Sequence, residues 1–362
     1  MSEDIVALGL ETSCDETAAA VVRLRDGRAA VLSSIVSSQI ADHQPYGGVV
    51  PEIAARGHAE VIDLLMVQAL QTAGVGIGDL NLVAATAGPG LVGGVMVGLS
   101  AAKGLALAAG LPLIAVNHLE GHALSPRLTH AAPYPFLLLL VSGGHCQLLS
   151  VEALSRYTRL GSTIDDAAGE AFDKIAAVLG LPYPGGPALE VFAAGGRTGR
   201  FTLPRALLDR KDCDFSFSGL KTAAARLAAD LVSEADRRDL AACVQDAICD
   251  QLVSRSERAM ARHLERSSGA GRLFVVAGGV AANRTVRARL EALCGRHGFE
   301  FLAPDLAYCT DNAAMIALAG AERFAAGLID DLDAPARPRW PLDEHSARLN
   351  PIHAPGRKGA KA

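Results

Sequence analysis

The feature that most constrains the fold is a pattern that occurs twice along the chain. In the first half, two apolar runs at residues 5–10 and 17–24 flank a short polar turn, which predicts a β-hairpin with an unusually polar tip. Further on, the apolar run 82–87 leads through a glycine-rich turn into a helix of small residues at about 91–109. Glycine and small residues there predict a strand and a helix that approach each other closely.

The second half repeats this order with different residues. The apolar runs 136–141 and 146–151 flank the tip 142–145, and the run 273–277 leads through the glycine-rich turn 278–283 into another helix. Because both halves contain a hairpin followed by a strand, a glycine turn and a helix, the sequence predicts a duplicated α/β fold. Such a fold has two lobes with an interlobe cleft.

Composition limits the class of protein. The 362 residues are enough for about two domains with a core each. Apolar residues make up 50% of the chain but aromatic residues only 4%, which favours closely packed α/β layers over a β-sandwich. The formal net charge of −5 excludes a global basic field that would attract nucleic acid or a membrane surface.

The expected cellular compartment follows from the start of the chain, the apolar stretches and the cysteines. Asp4 interrupts the start of the chain, no signal-peptide pattern is found, and the longest apolar stretches contain glycine breaks. The 7 cysteines are scattered without a CxxC pair, so neither a disulfide framework nor a cysteine-rich zinc module is predicted. We therefore expect a cytoplasmic protein without a membrane segment.

A pair of histidines suggests a metal site. Residues 117–128 follow the apolar run 113–116, which predicts a strand end that opens onto a helix. On such a helix His118 and His122 share one face, close enough for both imidazoles to bind one ion. A metal site needs a third protein ligand, and the pair alone is also compatible with two half-exposed histidines on an ordinary helix.

Several acidic residues have both a functional and a structural interpretation. The tip that carries Asp15 and Glu16 offers carboxylates, hydroxyls and backbone amides, a mixture that can meet a phosphate or its metal, but a solvated turn has the same composition. The acidic block 165–174 suits a solvated helix start, although Asp173 lies further into that helix. Asp311 precedes a helix of small residues and is either a ligand or the cap of that helix.

Another helix is predicted to begin near residue 218. Ser218 follows an aromatic stretch and precedes residues with helical periodicity, so it is the predicted N-cap.

A series of short motifs follows one another along the chain. They are Glu11-Thr-Ser-Cys-Asp-Glu16, Tyr46-Gly-Gly-Val-Val-Pro51, Ala87-Gly-Pro-Gly-Leu-Val92, His118-Leu-Glu-Gly-His122, Val141-Ser-Gly-Gly-His145, the block 165–174, residues 215–222, residues 278–283 and Cys309-Thr-Asp-Asn312. In these motifs, from about residue 5 to residue 342, the sequence resembles the tRNA N6-adenosine threonylcarbamoyltransferase family in its bacterial, TsaD-type form.

The resemblance implies a fold and a domain organisation. The fold is that of actin-like proteins, sugar kinases and heat-shock proteins (the ASKHA fold), which agrees with the duplicated pattern. The first lobe is expected at residues 1–133, completed by a C-terminal helix at about 312–330, and the second lobe, with helical insertions, at 134–311. The segment 343–362, which includes Arg357, Lys358 and Lys361, is expected to be a flexible tail that contacts an anionic partner.

The resemblance also implies the site residues. By motif position His118, His122 and Asp311 would bind one divalent metal ion, iron or zinc, and Asp311 would be the missing third ligand. The co-substrate would be the activated adenylate threonylcarbamoyl-AMP, with its phosphate at the glycine-rich tip and its ribose and adenine beside carboxylates that accept from hydroxyls. The expected adenylate-binding residues are Val141, Ser142, Gly143, Gly144, His145, Asp173, Gly186, Glu190 and Asn283.

The implied reaction moves the threonylcarbamoyl group to the N6 amine of the adenosine 3′ of the anticodon, in tRNAs that read codons starting with A, and releases AMP. We hypothesise that the ion polarises the carbonyl or neutralises the departing phosphate. Asp15, helped by Glu16, would accept the amine proton or orient the groups. Two positions depart from the family pattern: Cys146, where members often have Thr, and Glu190, where a shorter side chain is usual.

Two other functions fit part of the sequence. A zinc peptidase helix has the order His-Glu-x-x-His, whereas here Glu120 lies two positions after His118, so its carboxylate projects in another direction. A sugar or acid kinase, or a nucleotide-driven binding module, shares the fold. It would use Mg²⁺ with acidic residues at the hairpin tips and would not need the two histidines.

Partners are expected because a chain of net charge −5 is poorly equipped to bind tRNA alone. The resemblance implies tRNA as substrate and two protein partners, a paralogous actin-like subunit (TsaB-like) and a small P-loop ATPase (TsaE-like). A separate enzyme would make the adenylate from threonine, bicarbonate and ATP.

Overall fold

The structure is a computed structural model that describes residues 4–207 and 210–349. The strands in this part of the chain are β1 (Asp4–Glu11), β2 (Glu16–Arg25), β3 (Arg28–Ser38), β4 (Leu82–Gly88), β5 (Leu113–Asn117), β6 (Phe136–Val141), β7 (Cys146–Ala153), β8 (Arg156–Ser162), β9 (Leu273–Ala277) and β10 (Glu300–Leu302). The α-helices are α1 (Ile40–His43), α2 (Pro51–Ala73), α3 (Val92–Ala109), α4 (His118–Leu124), α5 (Ala168–Val178), α6 (Gly185–Ala193), α7 (Ser218–Ala229), α8 (Glu234–Arg266), α9 (Arg284–His297), α10 (Ala313–Ala325) and α11 (Glu344–Leu349).

The two sheets have the same strand order and the same strand directions. The first sheet has the order β3-β2-β1-β4-β5, and the second, read from its hairpin edge, has the order β8-β7-β6-β9-β10. β1 is antiparallel to β2 and parallel to β4, and β6 is likewise antiparallel to β7 and parallel to β9. The predicted duplication of an α/β fold is therefore confirmed.

The chain divides into two compact units. The described residues of unit 1 lie at 4–132 and 304–344, and those of unit 2 lie at 133–303 and 345–349. Unit 1 contains the first sheet with α1 to α4 and α10, and unit 2 contains the second sheet with α5 to α9. α10 thus returns to the unit that is built from the first part of the chain.

β1 is covered on both faces. On one face Val6, Leu8 and Leu10 join a hydrophobic core with residues of α2 and α3. On the other face α10 lies so close that a Cβ added to Gly9 would overlap the carbonyl oxygen of Ala313. Burial on both faces explains why the strand is a continuous apolar run rather than an alternating one. The same contact fixes the start of α10 relative to the end of β1.

α3 is, among the described residues, the one helix that is long and apolar enough to cross a membrane by length and composition. It packs against β4 and α2 within unit 1. The core helix of a globular domain passes the same test, so α3 is weak evidence for a membrane segment.

The start of α7 differs from the prediction. Ser218 is the first residue of the helix and Phe217 occupies the N-cap position, so the predicted N-cap was wrong. The backbone N–H groups of Phe217 and Ser218 instead donate to the carboxylate of Asp165, at 2.8 and 3.3 Å. A cap that comes from 52 positions away is not visible in a local sequence window.

The C-terminal segment is only partly described. Glu344–Leu349 forms α11. Residues 350–362, including Arg357, Lys358 and Lys361, lie outside the described residues, and the flexible tail stays a prediction.

The packing of β1 on α10 is testable by adding one methyl group. Gly9→Ala is expected to lower the free energy of unfolding by about 1–3 kcal/mol, because the new Cβ would overlap the Ala313 carbonyl oxygen and lie 2.5 Å from the Ala317 nitrogen. Gly104→Ala is the matched control, since Gly104 is exposed in α3 and an added Cβ meets no atom within 4 Å. Helix propensity predicts that this control gains about 0.5–1 kcal/mol. Urea unfolding measures both, and equal stability of the two variants would contradict the close approach of α10.

Candidate functional site

The histidine helix begins directly at the end of β5. Asn117 is its N-cap: the Asn117 Oδ1 accepts from the N–H of Leu119 at 2.9 Å, and the Asn117 Nδ2 donates to the carbonyl of Trp340 at 2.9 Å. The predicted strand end that opens onto a helix is confirmed. His118 and His122 lie in the first two turns, with ring centroids 4.6 Å apart. Both side chains are buried, at 7% and 1% exposed, so the interpretation as half-exposed surface histidines is wrong.

Asp311 meets both histidines. The Asp311 Oδ1 is 3.0 Å from the Nε2 of His122 and 3.6 Å from the Nε2 of His118. One ligand atom from each of the three side chains can be chosen so that all lie within 4.8 Å of one another. Asp311 does not cap α10, because Asn312 does so by accepting from the N–H of Met315 at 3.0 Å. The structure thus brings together the three predicted metal ligands, which come from two distant parts of the chain.

The donor set fits the implied metal. Two imidazole nitrogens and one carboxylate oxygen are ligands that both zinc and non-haem iron use in proteins. Three protein ligands also leave coordination positions for substrate oxygens. The metal assignment remains a prediction, and the residues present are compatible with it.

The charges around Asp311 favour a cation. Burial alone would lower the pKa of His118, but the carboxylates of Asp311 and Glu11 raise that pKa to about 9. Burial, Asp311 and Asp15 raise the pKa of Glu16 to about 9 as well. Carboxylates that raise the pKa of neighbouring groups in this way indicate an excess of negative charge. A bound cation would displace the protons from these groups.

The hairpin tip that carries Asp15 and Glu16 is held from two sides. Thr12 donates its hydroxyl to the carbonyl of Gly94 at 2.8 Å and accepts from the N–H of Gly98 at 3.2 Å, both in α3. On the other side, the Nε2 of His58 in α2 lies 3.0 Å from the carbonyl of Cys14. The tip is therefore a fixed part of unit 1 and not a solvated turn, and the Asp15 side chain is buried at 6% exposed.

The glycines that follow β4 are explained by this packing. An added Cβ on Gly94 or Gly98 would overlap atoms of Thr12, and one on Gly90 would lie 2.6 Å from the carbonyl oxygen of Ser13. These glycines let α3 approach the tip, so the packing interpretation of the Ala87-Gly-Pro-Gly motif and its helix suffices.

Glu120 is not placed to assist a peptidase reaction. Its side chain is buried at 2% exposed, and its Oε2 accepts from the Nη1 of Arg323 at 3.2 Å. A general base for peptide hydrolysis has to face the metal-bound water, whereas this carboxylate forms an ion pair with α10. The structure supports the argument that the order His-Leu-Glu-Gly-His excludes the peptidase motif.

In unit 2, the tip between β6 and β7 is a compact turn with accessible glycines. The N–H of Ser142 donates to the carbonyl of His145 at 2.8 Å, and the N–H of Gly169 at the start of α5 donates to the carbonyl of Ser142 at 3.2 Å. An added Cβ on Gly143 or Gly144 would meet no atom within 4 Å. The glycines at these two positions are therefore not required by packing, and their backbone is open to a ligand.

Val141 and Cys146 border this tip as the last and first residues of the two strands, and both are fully buried. The carbonyl of Val141 faces Gly278, whose φ is +99° and whose added Cβ would lie 2.5 Å from that oxygen. Gly278 thus needs to be glycine for two reasons, its backbone conformation and this close approach. Burial raises the pKa of the Cys146 thiol, so it is an inert apolar neighbour of the tip.

Asp173 organises the loop before α6. The Asp173 Oδ1 accepts from the N–H groups of Gly185 and Gly186, at 2.8 and 3.2 Å. Gly185 is packed against the Asp173 backbone, with an added Cβ only 2.6 Å from the Asp173 Cα. Gly186 is different, because the nearest atom to its added Cβ is 3.9 Å away. The missing side chain at Gly186 therefore leaves open space.

The rest of the acidic block has structural partners. Asp165 caps α7, as described above, and the Lys174 Nζ forms ion pairs with Asp166 at 2.9 Å and with Glu170 at 2.7 Å. These contacts agree with the structural interpretation of the block.

Glu190 and Asn283 lie at the start of α9. The Glu190 Oε1 accepts from the N–H of Arg284 at 2.7 Å, and the Asn283 Oδ1 caps the helix by accepting from the N–H of Val286 at 3.0 Å. The Asn283 Nδ2 donates to the Oε1 of Gln245 in α8 at 3.1 Å. A cavity of about 620 Å³ opens between α6, α8 and α9, and Glu190, Gln245 and Thr285 are among its lining residues.

Two residues of these sites, Glu11 and Gln245, have no role predicted from the sequence. Glu11 was part of a motif, and in the structure it contacts His118 directly, with 2.8 Å between the Glu11 Oε2 and the His118 Nδ1. Gln245 lies within the long amphipathic helix α8 and links Asn283 to Thr285. The sequence feature that could have indicated a role for Glu11 is an acidic residue at the end of a buried strand. Nothing in the local sequence distinguishes Gln245 from the other polar residues of α8.

Fold and site together define a class of protein. The chain has the duplicated ASKHA fold, with a two-histidine, one-carboxylate cluster in unit 1 and an open glycine-rich hairpin tip in unit 2. Solved structures support the fold: HypF from T. kodakarensis has a TM-score of 0.55 at 14% identity, covering 90% of this chain and 48% of that chain. Component A of the (R)-2-hydroxyglutaryl-CoA dehydratase of Acidaminococcus fermentans has a TM-score of 0.51 at 16% identity, covering 89% and 99%. At these identities the likeness shows the fold alone.

Sequence comparison gives the family. The family model described as "TsaD: tRNA N6-adenosine threonylcarbamoyltransferase" matches residues 30–318. The tRNA N6-adenosine threonylcarbamoyltransferase of Caulobacter vibrioides is 67% identical over 360 residues, which cover 99% of this chain and 98% of the relative. That of Maricaulis maris is 58% identical over 363 residues, which cover 99% and 96%. The chain belongs to the tRNA N6-adenosine threonylcarbamoyltransferase family, a family of transferases.

Removing any of the three clustered ligands tests the metal site. His118→Ala, His122→Ala and Asp311→Ala are each expected to weaken Zn²⁺ binding by more than the roughly 10- to 100-fold loss typical of outer-shell partners, since each change removes a direct ligand. His130→Ala is the control, because His130 is exposed. Competition with a chromophoric chelator on metal-depleted protein measures the affinity. Binding of wild-type strength in all three variants would contradict the site.

Proposed function

We propose that this chain transfers the threonylcarbamoyl group from threonylcarbamoyl-AMP to the N6 amine of the adenosine 3′ of the anticodon, in tRNAs that read codons starting with A. AMP is released. The observation that carries the proposal is the convergence of His118, His122 and Asp311 in one buried cluster, in a chain whose relatives are named for this transfer to tRNA.

The proposed cofactor is one divalent metal ion, iron or zinc, held by His118, His122 and Asp311. When bound, it supplies a Lewis acid that polarises the carbamoyl carbonyl or neutralises the phosphate of the departing AMP. The protein contributes two buried imidazoles and a carboxylate whose positions are set by α4 and by the start of α10.

Asp15 and Glu16 are the proposed proton-handling pair. Asp15 and Glu16 are neighbours at the hairpin tip, and burial, Asp311 and Asp15 raise the pKa of Glu16 to about 9. Asp15, which is buried at 6% exposed, is the proposed acceptor for the proton that the N6 amine loses. The new bond forms between N6 and the carbonyl carbon, the bond from that carbon to the phosphate oxygen breaks, and AMP leaves with the electron pair.

Unit 2 is the proposed adenylate-binding unit. The open backbone at Gly143 and Gly144 suits a phosphate, because backbone amides can approach it without steric hindrance. The cavity beside Glu190 has about 620 Å³, within the roughly 300–1,000 Å³ of small-molecule sites, and suits a nucleoside. The predicted binding residues Val141, Ser142, His145, Asp173, Gly186 and Asn283 all belong to the same unit.

The proposed partners are those that the sequence implies. The substrate is tRNA, and the net charge of −5 supports a requirement for further subunits to bind it. We propose a TsaB-like paralogous subunit and a TsaE-like P-loop ATPase, acting in the cytoplasm.

Reconstitution tests the function directly. The chain is combined with the two partner proteins, threonylcarbamoyl-AMP and unmodified tRNA, and the nucleosides are analysed by mass spectrometry. The expected product is N6-threonylcarbamoyladenosine next to the anticodon. Absence of this adduct, in a system that works with the relative from Caulobacter vibrioides, would overturn the proposal. Chelator-sensitive hydrolysis of denatured casein by the metal-loaded chain would also contradict it, because it would show a peptidase.

Asp15→Asn separates proton transfer from binding. Because general-base catalysis contributes about 10²- to 10⁴-fold, the single-turnover rate with pre-made adenylate is expected to fall by about that factor. Asp42→Asn is the control, since Asp42 is exposed in α1. A wild-type rate for Asp15→Asn would remove Asp15 from the mechanism.

Gly186→Ala separates ligand binding from packing. The new methyl group has 3.9 Å to its nearest neighbour, so the free energy of unfolding is expected to stay at the wild-type value or rise slightly, whereas the KM for the adenylate is expected to rise about tenfold or more through steric conflict with the ligand. Gly185→Ala is the contrasting variant, because its methyl group would lie 2.6 Å from the Asp173 Cα and destabilise the fold. An unchanged KM in Gly186→Ala would show that the adenylate does not approach this residue.

A further inference from the structure

Glu11 is a fully buried carboxylate at the end of β1, with 0% of the residue exposed. The Glu11 Oε1 accepts from the N–H of Ser13 at 2.6 Å, and the Oε2 accepts from the hydroxyl of Thr86 at 2.6 Å. The same Oε2 lies 2.8 Å from the Nδ1 of His118. A buried carboxylate is costly unless it is paired, and the Ser13 N–H and the Thr86 hydroxyl each donate a hydrogen bond to this one.

The His118 Nδ1 faces Glu11 and also the hydroxyl of Ser13, whose Oγ lies 3.1 Å from it. The Nδ1 is turned towards Glu11, and the Nε2 is turned towards the Asp311 Oδ1, 3.6 Å away. When the Nδ1 carries the hydrogen and donates it to Glu11, the Nε2 has a lone pair that points at the other two ligands. A histidine that binds a metal commonly donates its second N–H to a carboxylate, which fixes the tautomer and the ring orientation.

We propose that Glu11 is a positioning residue of the metal centre, which holds the Nδ1–H of His118 so that its Nε2 is the metal ligand. The inference rests on the proposed metal role of His118, His122 and Asp311, and it adds a residue that does not touch the ion. Through Ser13 the same carboxylate also fixes the hairpin tip that carries Asp15. Glu11 thus fixes the position of one metal ligand, His118, relative to the hairpin tip that carries the proposed proton acceptor, Asp15.

An amide cannot replace this carboxylate. The three donors Ser13 N–H, Thr86 O–H and His118 Nδ1–H converge on two oxygens. In Glu11→Gln one oxygen becomes an NH₂ group. This group either faces the Ser13 N–H, donor against donor, or it faces Thr86 and His118, where it can donate to the His118 Nδ1 and so favour the tautomer that carries its hydrogen on Nε2. The variant keeps the size of the side chain, and what it removes is the second acceptor.

The chain offers a matched control. Glu120 is also a buried glutamate with an ion-pair partner, Arg323, and it lies on the histidine helix itself. Glu120→Gln therefore disturbs a buried charge at the same helix without changing the contact to the His118 Nδ1. A purely structural role for Glu11 predicts that both variants affect metal binding alike.

The test measures Zn²⁺ affinity of the full chain by chelator competition, with circular dichroism and thermal unfolding to establish that each variant is folded. Glu11→Gln is expected to weaken binding by about 10- to 100-fold, and Glu120→Gln by less than about threefold. Wild-type affinity in folded Glu11→Gln, or equal losses in the two variants, would overturn the role of Glu11. If the wild-type chain binds neither Zn²⁺ nor Fe²⁺, the metal assignment is wrong, and so is the role of Glu11. If the chain binds metal but does not transfer the threonylcarbamoyl group, only the proposed function is contradicted, because the affinity measurement does not depend on activity.

A second measurement needs no mutation. ¹⁵N chemical shifts of the Zn²⁺-loaded wild-type chain are expected to show His118 with a protonated Nδ1 and a metal-bound Nε2. A metal-bound Nδ1 in His118 would overturn the proposal even if Glu11→Gln proved unstable.

Discussion

Three neighbouring strand ends of the first sheet are joined by hydrogen bonds to one buried carboxylate, and the rest of the unit 1 site depends on that junction. β1, β4 and β5 are parallel neighbours, so their carboxyl ends lie at the same edge of the sheet. Glu11, Thr86 and His118 come from these ends, and open α/β sheets place their ligand sites at this edge. The contact of β1 with α10 adds the fourth element, because it sets where α10 begins and therefore where Asp311 lies.

The second unit uses the same geometry with different chemistry. β6 and β9 are parallel, and their ends meet where the Val141 carbonyl faces Gly278. Where unit 1 has carboxylates and imidazoles, unit 2 has a tip of small residues with open backbone at Gly143 and Gly144. One duplicated backbone thus has an edge suited to a cation in one unit and an edge suited to an anion in the other, which is why the fold alone cannot decide the function.

Much of the fold was predictable because its elements are covered on both faces and therefore appear as continuous apolar runs. β8 was not predicted, since it lies at the sheet edge and most of its residues are partly exposed. The histidine pair could be found from spacing alone, but the cap of α10 could not be assigned, because Asp311 and Asn312 are adjacent and both residue types cap helices well. The role of Glu11 was out of reach because its partners Thr86 and His118 lie 75 and 107 positions away, so no local window contains the contacts.

The charges in unit 1 give the proposed cation an electrostatic role beside an anionic substrate. Burial, Asp311 and Asp15 raise the pKa of Glu16 to about 9, and burial together with Asp15 and Asp311 also raises the pKa of the Cys14 thiol. Such a region repels a phosphate, and burial weakens the screening that salt provides at an exposed surface. A divalent ion on His118, His122 and Asp311 would offset this negative charge at the position where a phosphate or a carbonyl oxygen would bind. The carboxylates that repel phosphate are therefore the same groups that would attract the proposed cation. Because the carboxylates of Asp311 and Glu11 outweigh burial and raise the pKa of His118 to about 9, that cation would displace a proton from His118 when it binds.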